Sequence, residues 1–265
     1  MQISVLGCGW LGLPLAQALL AEGHIIKGST TTEAKLSLLQ QEGIKPFLIS
    51  LPEGGPAGNF TDFLKGSDVL IIDVPPKLGG DKSESYVEKI RSVIPAVEAA
   101  RMKKVLFVSS TSVYADDNSV VTEVIVPKPE TESGRQLLET EKLLQENLNF
   151  KTTILRFGGL IGEGRHPVYH LTGRENLPNP DAPVNLIHRD DCIGIIKAII
   201  AKDAWGETFN AVAPYHPTRE EYYTAKAKEL GLVEPHFDDA TPSVGKTIAS
   251  GKLISRLDYN FLHQL

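Results

Sequence analysis

The sequence has few of the residues that mark secreted, metal-binding or membrane-spanning proteins. Only Cys8 and Cys192 are cysteines among 265 residues, too few for a disulfide framework. Cysteine and histidine show no metal-ligand spacing, so we expect no metal site. No apolar run approaches the roughly 20 residues that span a bilayer, and the chain opens on a strand pattern rather than a charged leader. These absences predict a cytoplasmic protein with no membrane partner.

An excess of positive charge is also absent. The formal net charge is −6, which gives no reason to expect nucleic acid as a partner. Hydrophobic residues make up 42% of the chain and charged residues 23%, as in ordinary globular proteins rather than disordered ones. A length of 265 residues allows one large domain, alone or with a small annex.

Three glycines follow the first apolar run of the chain. Residues 3–6 predict a strand, Gly7-x-Gly9-x-x-Gly12 follows, and an apolar-periodic stretch predicts a helix over residues 13–22. Gly7 permits a tight turn, Gly9 lets a pyrophosphate approach the backbone, and Gly12 lets helix and strand pack closely. Free N–H groups at the helix start favour phosphate. The pattern favours a dinucleotide site over a merely close-packed turn, with contacts from Gly7, Gly9, Trp10, Leu11 and Gly12.

Strand and helix patterns alternate through the rest of the sequence. Apolar or extended runs predict strands at residues 24–28, 45–50, 69–73, 105–109, 152–156 and 208–211. Apolar residues at helical spacing predict helices at residues 33–41, 60–65, 86–100, 132–147 and 190–201. Such alternation indicates an α/β protein whose parallel sheet is covered by helices on both faces.

Local signals mark helix starts and irregular segments. Asp190 or Asp191 would cap the helix at residues 190–201, and Thr218 with Glu221 forms a capping box that predicts one more helix. The segments expected to be irregular are the polar stretch with Gly79 and Gly80 and residues 160–185. Residues 235–237 and 252–265 are expected to form a small terminal annex.

Four segments carry a resemblance to a known family. They are the glycine turn, Ser109-Ser110-Thr111-Ser112-Val113-Tyr114, Leu155-Arg156-Phe157-Gly158-Gly159-Leu160-Ile161-Gly162 and Asn185-Leu186-Ile187-His188-Arg189-Asp190-Asp191. Together they resemble the extended short-chain dehydrogenase/reductase superfamily, of the nucleoside-diphosphate-sugar epimerase/dehydratase type. The likeness runs from the first strand to the predicted strand at residues 208–211.

The resemblance implies both a fold and a chemistry. It implies a Rossmann-type doubly wound parallel sheet over residues 1–160 and a small substrate-binding region over residues 161–265, with residues 184–212 returning to the sheet. It implies NAD or NADP as cofactor and hydride transfer on a sugar-nucleotide or a small carbonyl or alcohol substrate. The helix at residues 132–147 pairs subunits in many relatives, which leaves a homodimer open.

The resemblance breaks at the family's catalytic pair. Relatives have a Tyr and, four residues later, a Lys that lowers the pKa of the tyrosine hydroxyl and holds the nicotinamide ribose. Ser133 stands at the Tyr position and Leu137 at the Lys position. The short spacing from Gly7 to Gly9 also indicates an atypical branch. Two interpretations stay open: an enzyme that uses other groups, or a sensor or regulatory module that binds a dinucleotide without turnover.

Hydroxyl groups are the first candidates for the missing chemistry. The resemblance places Ser110 where family members polarise the reacting oxygen, with Thr111 beside it, although strand-end hydrogen bonding to the backbone explains both equally well. Ser133 would hold a water that relays the proton.

Histidines and aromatic residues are weaker candidates. Tyr114 is expected to pack beneath the site, and Arg156 to serve the structure. Candidate proton sources on the substrate side, each with a structural role as the favoured alternative, are His166, His170 and His188.

The choice of cofactor depends on the end of the second strand. An acid there would bind the adenosine ribose of NAD, but the chain reads Ser29-Thr30-Thr31-Thr32, with Lys35 nearby and the first acid at Glu33. Hydroxyls and a lysine tolerate a 2′-phosphate, so we favour NADP over NAD. No arginine stands ready as a bidentate clamp, and a capped loop is the alternative. Contacts expected where strands end are Ser29, Thr30, Val74, Pro75, Ser109, Phe157 and Gly158.

Overall fold

The computed structural model describes residues 1–52, 54–76 and 85–265. The polar stretch around Gly79 and Gly80 lies outside these residues. The strands are β1 (Gln2–Leu6), β2 (Ile25–Thr30), β3 (Lys45–Leu48), β4 (Val69–Ile72), β5 (Lys104–Ser110), β6 (Val120–Val121), β7 (Lys151–Phe157), β8 (Gly159–Ile161), β9 (Leu186–His188), β10 (Thr208–Ala211) and β11 (Thr247–Ile248).

Helices lie between these strands, in the alternation that the sequence predicts. They are α1 (Gly12–Ala21), α2 (Leu36–Gln41), α3 (Phe60–Leu64), α4 (Tyr86–Arg91), α5 (Ile94–Ala99), α6 (Glu132–Gln145), α7 (Val168–Leu171), α8 (Arg189–Ala201), α9 (Arg219–Glu229) and α10 (Gly251–Leu257). Among the described residues, no helix combines the length and the apolar composition that crossing a membrane requires.

Seven parallel strands form the central sheet, in the order β10-β7-β5-β4-β1-β2-β3. The chain starts at β1, moves outward to β3 and returns on the other side of β1 as β4. The order therefore reverses between β1 and β4, which opens a crevice at their carboxyl ends. The predicted α/β fold with a doubly wound parallel sheet is confirmed.

Apolar side chains on both faces of the sheet explain its burial. Alternate residues of a strand point to opposite faces. On one face, Ile3 of β1 packs with Leu15 of α1 and Ile195 of α8. On the other face, Leu6 of β1 packs with Phe63 of α3, in the cluster that also contains residues of α4 and α6.

Three local expectations differ from the structure. The helix expected over residues 86–100 is two helices, α4 and α5, because Pro95 has no N–H and its ring excludes the carbonyl of Arg91 from a continuous helix. The segment 160–185 includes part of β8 and all of α7, and β8 pairs in parallel with β9. Neither aspartate caps α8; instead His188 Nδ1 accepts the N–H of Asp190 at 3.2 Å.

The second half of the chain both completes the sheet and covers it. β10 pairs with β7 at the sheet edge, and the predicted capping box of Thr218 and Glu221 at the start of α9 is confirmed. The buried carboxylate of Asp191 accepts hydrogen bonds from Tyr259 Oη at 2.9 Å, Leu262 N at 2.7 Å and His263 N at 3.1 Å. Through this carboxylate the segment after α10 is fixed to the start of α8.

A buried ion pair ties α6 to the sheet. Arg156 of β7 is 5% exposed and Glu141 of α6 is 1% exposed. Arg156 Nη2 lies 2.5 Å from Glu141 Oε2, and Ser109 Oγ donates to Glu141 Oε1 at 2.6 Å. Arg156 Nη1 also donates to Tyr114 Oη, whose hydroxyl donates to Asn210 Oδ1 at 3.0 Å. The expected structural role of Arg156 is confirmed.

We expect Glu141→Gln to lower the free energy of unfolding by about 3–5 kcal/mol, because the variant leaves the buried Arg156 charge without its carboxylate. Urea denaturation measures this change. The control is Glu132→Gln, which removes an exposed pair with Arg135 and should change the free energy of unfolding little, because water screens an exposed pair. Equal losses in the two variants would contradict the assignment.

Candidate functional site

A cavity of about 650 Å³ lies at the carboxyl ends of β1, β2 and β4. This is the crevice where the strand order reverses, and such crevices bind ligands in open α/β sheets. Its walls come from the glycine turn, the end of β2, the segment after β3 and the segment after β4. Trp10 and Leu11 are residues of this glycine turn, between Gly9 and Gly12.

The turn is packed so closely that two of its glycines have no room for a side chain. Gly7 has a φ of +109°, and a Cβ there would lie 2.3 Å from the carbonyl oxygen of Asp73. A Cβ on Gly12 would lie 2.0 Å from the carbonyl oxygen of Gly7. A Cβ on Gly9 would meet nothing within 4 Å. Gly7 and Gly12 therefore serve the packing, whereas Gly9 borders open space.

Backbone N–H groups of the turn divide into used and unused donors. Gly7 N–H donates to Ser29 Oγ at 2.9 Å, and Cys8 N–H to the Ser29 carbonyl at 2.8 Å. The N–H groups of Trp10 and Leu11 have no acceptor among the described residues. Two unpaired donors at the start of α1, with the positive end of its dipole, form an anion-binding arrangement. Ser29 supports this turn from β2 and is also one of the residues that line the cavity.

Asp73 is a site residue that the sequence analysis missed. It follows β4, lines the cavity and accepts the N–H of Gly12. Burial, partly offset by this hydrogen bond and by the charge of Arg165, raises the pKa of its carboxyl to about 7. Its place at the carboxyl end of a central strand was the available signal.

Cys8 lies at the base of the same turn. Its thiol packs against Gly28, where a Cβ would come within 2.7 Å of the sulfur. Burial and the nearby Asp73 raise the pKa of the thiol to about 12. At neutral pH the group is protonated and acts as a small apolar side chain.

The end of β2 presents hydroxyls to the cavity. Thr30, Thr31 and Thr32 line it together with Lys35. Thr30 Oγ1 accepts the N–H of Thr32 at 3.1 Å, so this hydroxyl also shapes the loop. Glu33 is exposed in a short 3-10 turn, and Asp73 is the one carboxylate among the described lining residues.

Two expected contacts line the opposite wall. Val74 and Pro75 border the cavity directly after β4. The carbonyl of Val74 accepts the hydroxyl of Tyr86 at 2.6 Å. Tyr86 is buried, and burial together with Asp73 raises its pKa, so the phenol stays neutral. The wall is thereby fixed to α4.

Two other expected contacts have their side chains inside the protein, and a third is a closely packed glycine. The Ser109 hydroxyl donates to Glu141, and Phe157 is buried in the core. A Cβ on Gly158 would lie 2.6 Å from the carbonyl oxygen of Asn185, which explains the glycine by close packing. A cofactor would meet Ser109 and Phe157 through their backbone, and these contacts stay predictions.

The candidate catalytic hydroxyls lie around the end of β5. Ser110 Oγ accepts the N–H of Ser112 at 3.1 Å, and Thr111 is buried. Ser133 is the second residue of α6, whose first turn packs on this segment: a Cβ on Gly134 would lie 2.4 Å from the Ser112 carbonyl oxygen. The structure thus brings the three hydroxyls to one region, and their catalytic roles stay predictions.

Tyr114 and His166 have structural partners, whereas His170 is on the surface. Tyr114 packs in the core with its hydroxyl held by Arg156. His166 Nδ1 accepts the N–H of Val168 at 3.1 Å and Nε2 lies 3.0 Å from Tyr222 Oη, while burial lowers its pKa to about 4. His170 is exposed at the end of α7. His166 is therefore neutral at physiological pH.

One group of metal-ligating side chains occurs in the described residues. Ligand atoms of His188, Asp190 and His263 lie within 4.8 Å of one another. His263 Nε2 lies 3.2 Å from Asp190 Oδ2, and the two imidazole rings are 3.8 Å apart. The positive end of the α8 dipole opposes a cation here. We assign the group to docking of the segment after α10, and the absence of a metal site stays a prediction.

A family model described as NAD(P)H-binding matches residues 7–228, from the glycine turn into α9. The chain belongs to the NAD(P)H-binding family. It is 34% identical to Protein YeeZ of Escherichia coli strain K12 over 262 residues, which cover 98% of this chain and 95% of that protein.

Solved structures show the same fold. A putative NAD-dependent epimerase/dehydratase from Methylobacillus flagellatus has a TM-score of 0.78 at 26% identity, covering 98% of this chain and 93% of that one. UDP-glucuronic acid 4-epimerase from Bacillus cereus, in complex with UDP-glucuronic acid and NAD, has a TM-score of 0.81 at 19% identity, covering 100% and 95%. The resemblance to NAD(P)-binding proteins of epimerase/dehydratase type is confirmed, as is the cofactor class.

The residues at the crevice fit such a cofactor. The open space beside Gly9 and the unpaired N–H groups of Trp10 and Leu11 suit a pyrophosphate. The hydroxyls at the end of β2 border the part of the cavity that an adenosine ribose would reach. Asp73 is the one carboxylate among the described lining residues, so an anionic ligand would bind near its negative charge.

We expect Gly9→Ala to weaken binding of NAD(P) about tenfold or more while leaving the melting temperature unchanged. The new methyl group meets no protein atom within 4 Å but occupies the space beside the turn. Calorimetric titration and thermal denaturation measure the two quantities. Gly251→Ala, also in open space, is the matched control; a Gly9→Ala protein that binds as tightly as this control would rule out a pyrophosphate at Gly9.

We expect affinity for NAD(P) to rise as the pH falls from about 8 to about 6. The neutral form of Asp73, whose pKa is about 7, does not repel a pyrophosphate, so the bound anion raises this pKa further and favours the protonated state. Asp73→Asn should bind more tightly at high pH, on the order of tenfold, and lose the pH dependence. A wild-type affinity that is flat over this range would remove Asp73 from the binding equilibrium.

Proposed function

We propose that this chain binds NAD(P) in the crevice and transfers a hydride to or from a small carbonyl or alcohol substrate, as an epimerase- or reductase-like enzyme. The observation that carries the proposal is the cavity at the strand-order reversal, which Gly9 lines, with the unpaired N–H groups of Trp10 and Leu11 directly after Gly9 in the glycine turn. A sugar nucleotide is the alternative substrate, supported by the fold shared with UDP-glucuronic acid 4-epimerase.

The hydroxyls near the end of β5 would bind the reacting oxygen. When bound, the cofactor supplies or accepts the hydride. Ser110 Oγ accepts the N–H of Ser112, which leaves its own hydrogen free to donate to a substrate oxygen. Ser133, next to this segment at the start of α6, would hold a water that passes the proton.

A specific observation favours a second function, a binding module without turnover. Leu137, at the position of the family's Lys, is 4% exposed and packs in the core. No cation therefore stands there to lower the pKa of a hydroxyl at Ser133, and an ordinary serine is a weak acid. On this alternative the chain reports the level or redox state of the dinucleotide to a partner.

Two measurements distinguish these functions. Calorimetric titration with oxidised and reduced NAD and NADP tests binding, which both functions require. Nicotinamide absorbance then follows net oxidation or reduction of aldehydes, ketones and alcohols, and chromatography of sugar nucleotides detects epimerisation, which leaves the cofactor unchanged overall. We expect turnover that falls at least about tenfold in Ser110→Ala; tight binding with no turnover on any substrate would favour the binding module.

The proposed preference for NADP rests on Lys35 and the threonines beside it in the cavity wall. We expect Lys35→Ala to weaken NADP about tenfold and NAD by little, because only NADP carries the 2′-phosphate. Lys103→Ala is the control, since that ammonium group lies at the other end of the sheet near the Asn149 carbonyl. Equal losses for the two cofactors would contradict a 2′-phosphate contact.

A further inference from the structure

The side chain of Trp10 connects the glycine turn to the loop after β8. Its indole Nε1 donates to the carbonyl of Glu163 at 2.9 Å. A Cβ on Gly162 would lie 3.1 Å from the ring. Gly162 and Arg165 exchange two backbone hydrogen bonds of 2.9 Å, which make this loop a tight turn. The loop is thereby fixed against the cofactor crevice.

Two guanidinium groups lie over the Trp10 ring. The central carbon of Arg165 lies 5.0 Å from the ring centroid, and that of Arg189, at the start of α8, lies 5.1 Å from it. A guanidinium held over an indole is stabilised by the ring's π-electrons. Contact with the ring leaves those N–H groups of a guanidinium that have no other acceptor able to bind a planar or tetrahedral anion.

Both guanidinium groups have unused donors. Nε of Arg189 is buried with no hydrogen-bond partner, while Nη2 lies 3.2 Å from the carboxylate of Glu163. The guanidinium of Arg165 has no hydrogen bond or ion pair with any residue in the described ranges. The buried Nε of Arg189 lacks a hydrogen-bond partner, which costs free energy. Such a cost is tolerated where a ligand supplies the partner.

The charge of Arg165 acts on the glycine turn itself. It is one of the causes that lower the pKa of the Asp73 carboxyl, which accepts the N–H of Gly12. The charge of Arg165 is therefore close enough to act on Asp73 beside the start of α1. The unpaired N–H groups of Trp10 and Leu11 are at that same place.

We propose that Arg165 and Arg189, stacked on Trp10, bind the pyrophosphate of the dinucleotide together with the N–H groups of Trp10 and Leu11. This inference rests on the proposed function, because it assumes that the crevice holds NAD(P). It adds two residues from the second half of the chain to the cofactor site. It also gives the loop of Gly162–Arg165 a role: the loop holds the bound pyrophosphate from the substrate side.

The test compares ligands that do and do not carry a pyrophosphate. Calorimetric titration uses NADP, NAD, ADP-ribose and adenosine monophosphate with the wild-type protein, Arg165→Ala and Arg189→Gln. We expect each variant to bind NADP, NAD and ADP-ribose at least about tenfold more weakly, by a common factor. Binding of adenosine monophosphate should change little, because it lacks the second phosphate.

Controls separate the pyrophosphate contact from folding and from charge alone. Arg174→Ala removes an exposed arginine further along the same segment and should leave all affinities unchanged. Arg165→Lys keeps the charge but loses the flat donor edge, so it should recover only part of the affinity. Thermal denaturation verifies that each variant is folded; Arg165 is exposed, so its loss should not unfold the protein.

The outcomes are distinct for the two proposals. If the wild-type protein binds none of the dinucleotides, the proposed function fails and this inference fails with it. If the wild-type protein binds them and both variants bind ADP-ribose as tightly as the wild-type protein does, only this inference is overturned. A loss confined to a nucleoside diphosphate such as UDP, with cofactor affinity intact, would assign the two arginines to a substrate phosphate and also overturn it.

Discussion

The backbone of the glycine turn touches the backbone at the end of β4, and this contact sets the position of every other group in the crevice. The contact exists because Gly7 carries no Cβ, and Gly12 packs against the carbonyl of Gly7 for the same reason. It places the start of α1 at the strand-order reversal, so that Gly9 lines the cavity and the N–H groups of Trp10 and Leu11 follow directly after it. The same closeness puts the Asp73 carboxyl under the turn, where the positive end of α1 and the negative charge of an anionic ligand act on one group.

The sequence predicted most of the frame because the frame depends on short-range patterns. Apolar runs separated by helical periodicities are sufficient to infer the parallel sheet, and the Thr218–Glu221 capping box is a local motif. Pro95 lies inside the helix predicted over residues 86–100, and in the structure that helix is divided there. By contrast, Trp10 meets Arg165 and Arg189 only in three dimensions, and no local spacing indicates that a guanidinium will stack on an indole far away in the chain.

Side-chain direction accounts for the other differences between sequence and structure. Ser109 lies near the carboxyl end of β5, at the side of the sheet where ligands bind, yet its hydroxyl points inward to Glu141. Gly158 reads as a site for close ligand approach, but the approaching group is the backbone at Asn185. In both cases the strand end lies where the sequence places it and the structure adds a protein partner, while the cofactor contacts stay predictions. A strand end offers side chains to two faces, and sequence alone does not say which face holds the ligand.

The thiol of Cys8 has a consequence for how this site moves. A thiol with a pKa of about 12, packed against Gly28 beneath the turn, reacts with alkylating reagents only when the turn opens and the group regains water. The rate at which Cys8 is labelled is therefore a measure of local opening at the crevice, separate from unfolding of the whole domain. Cys8 is thus a built-in probe of how often the glycine turn opens.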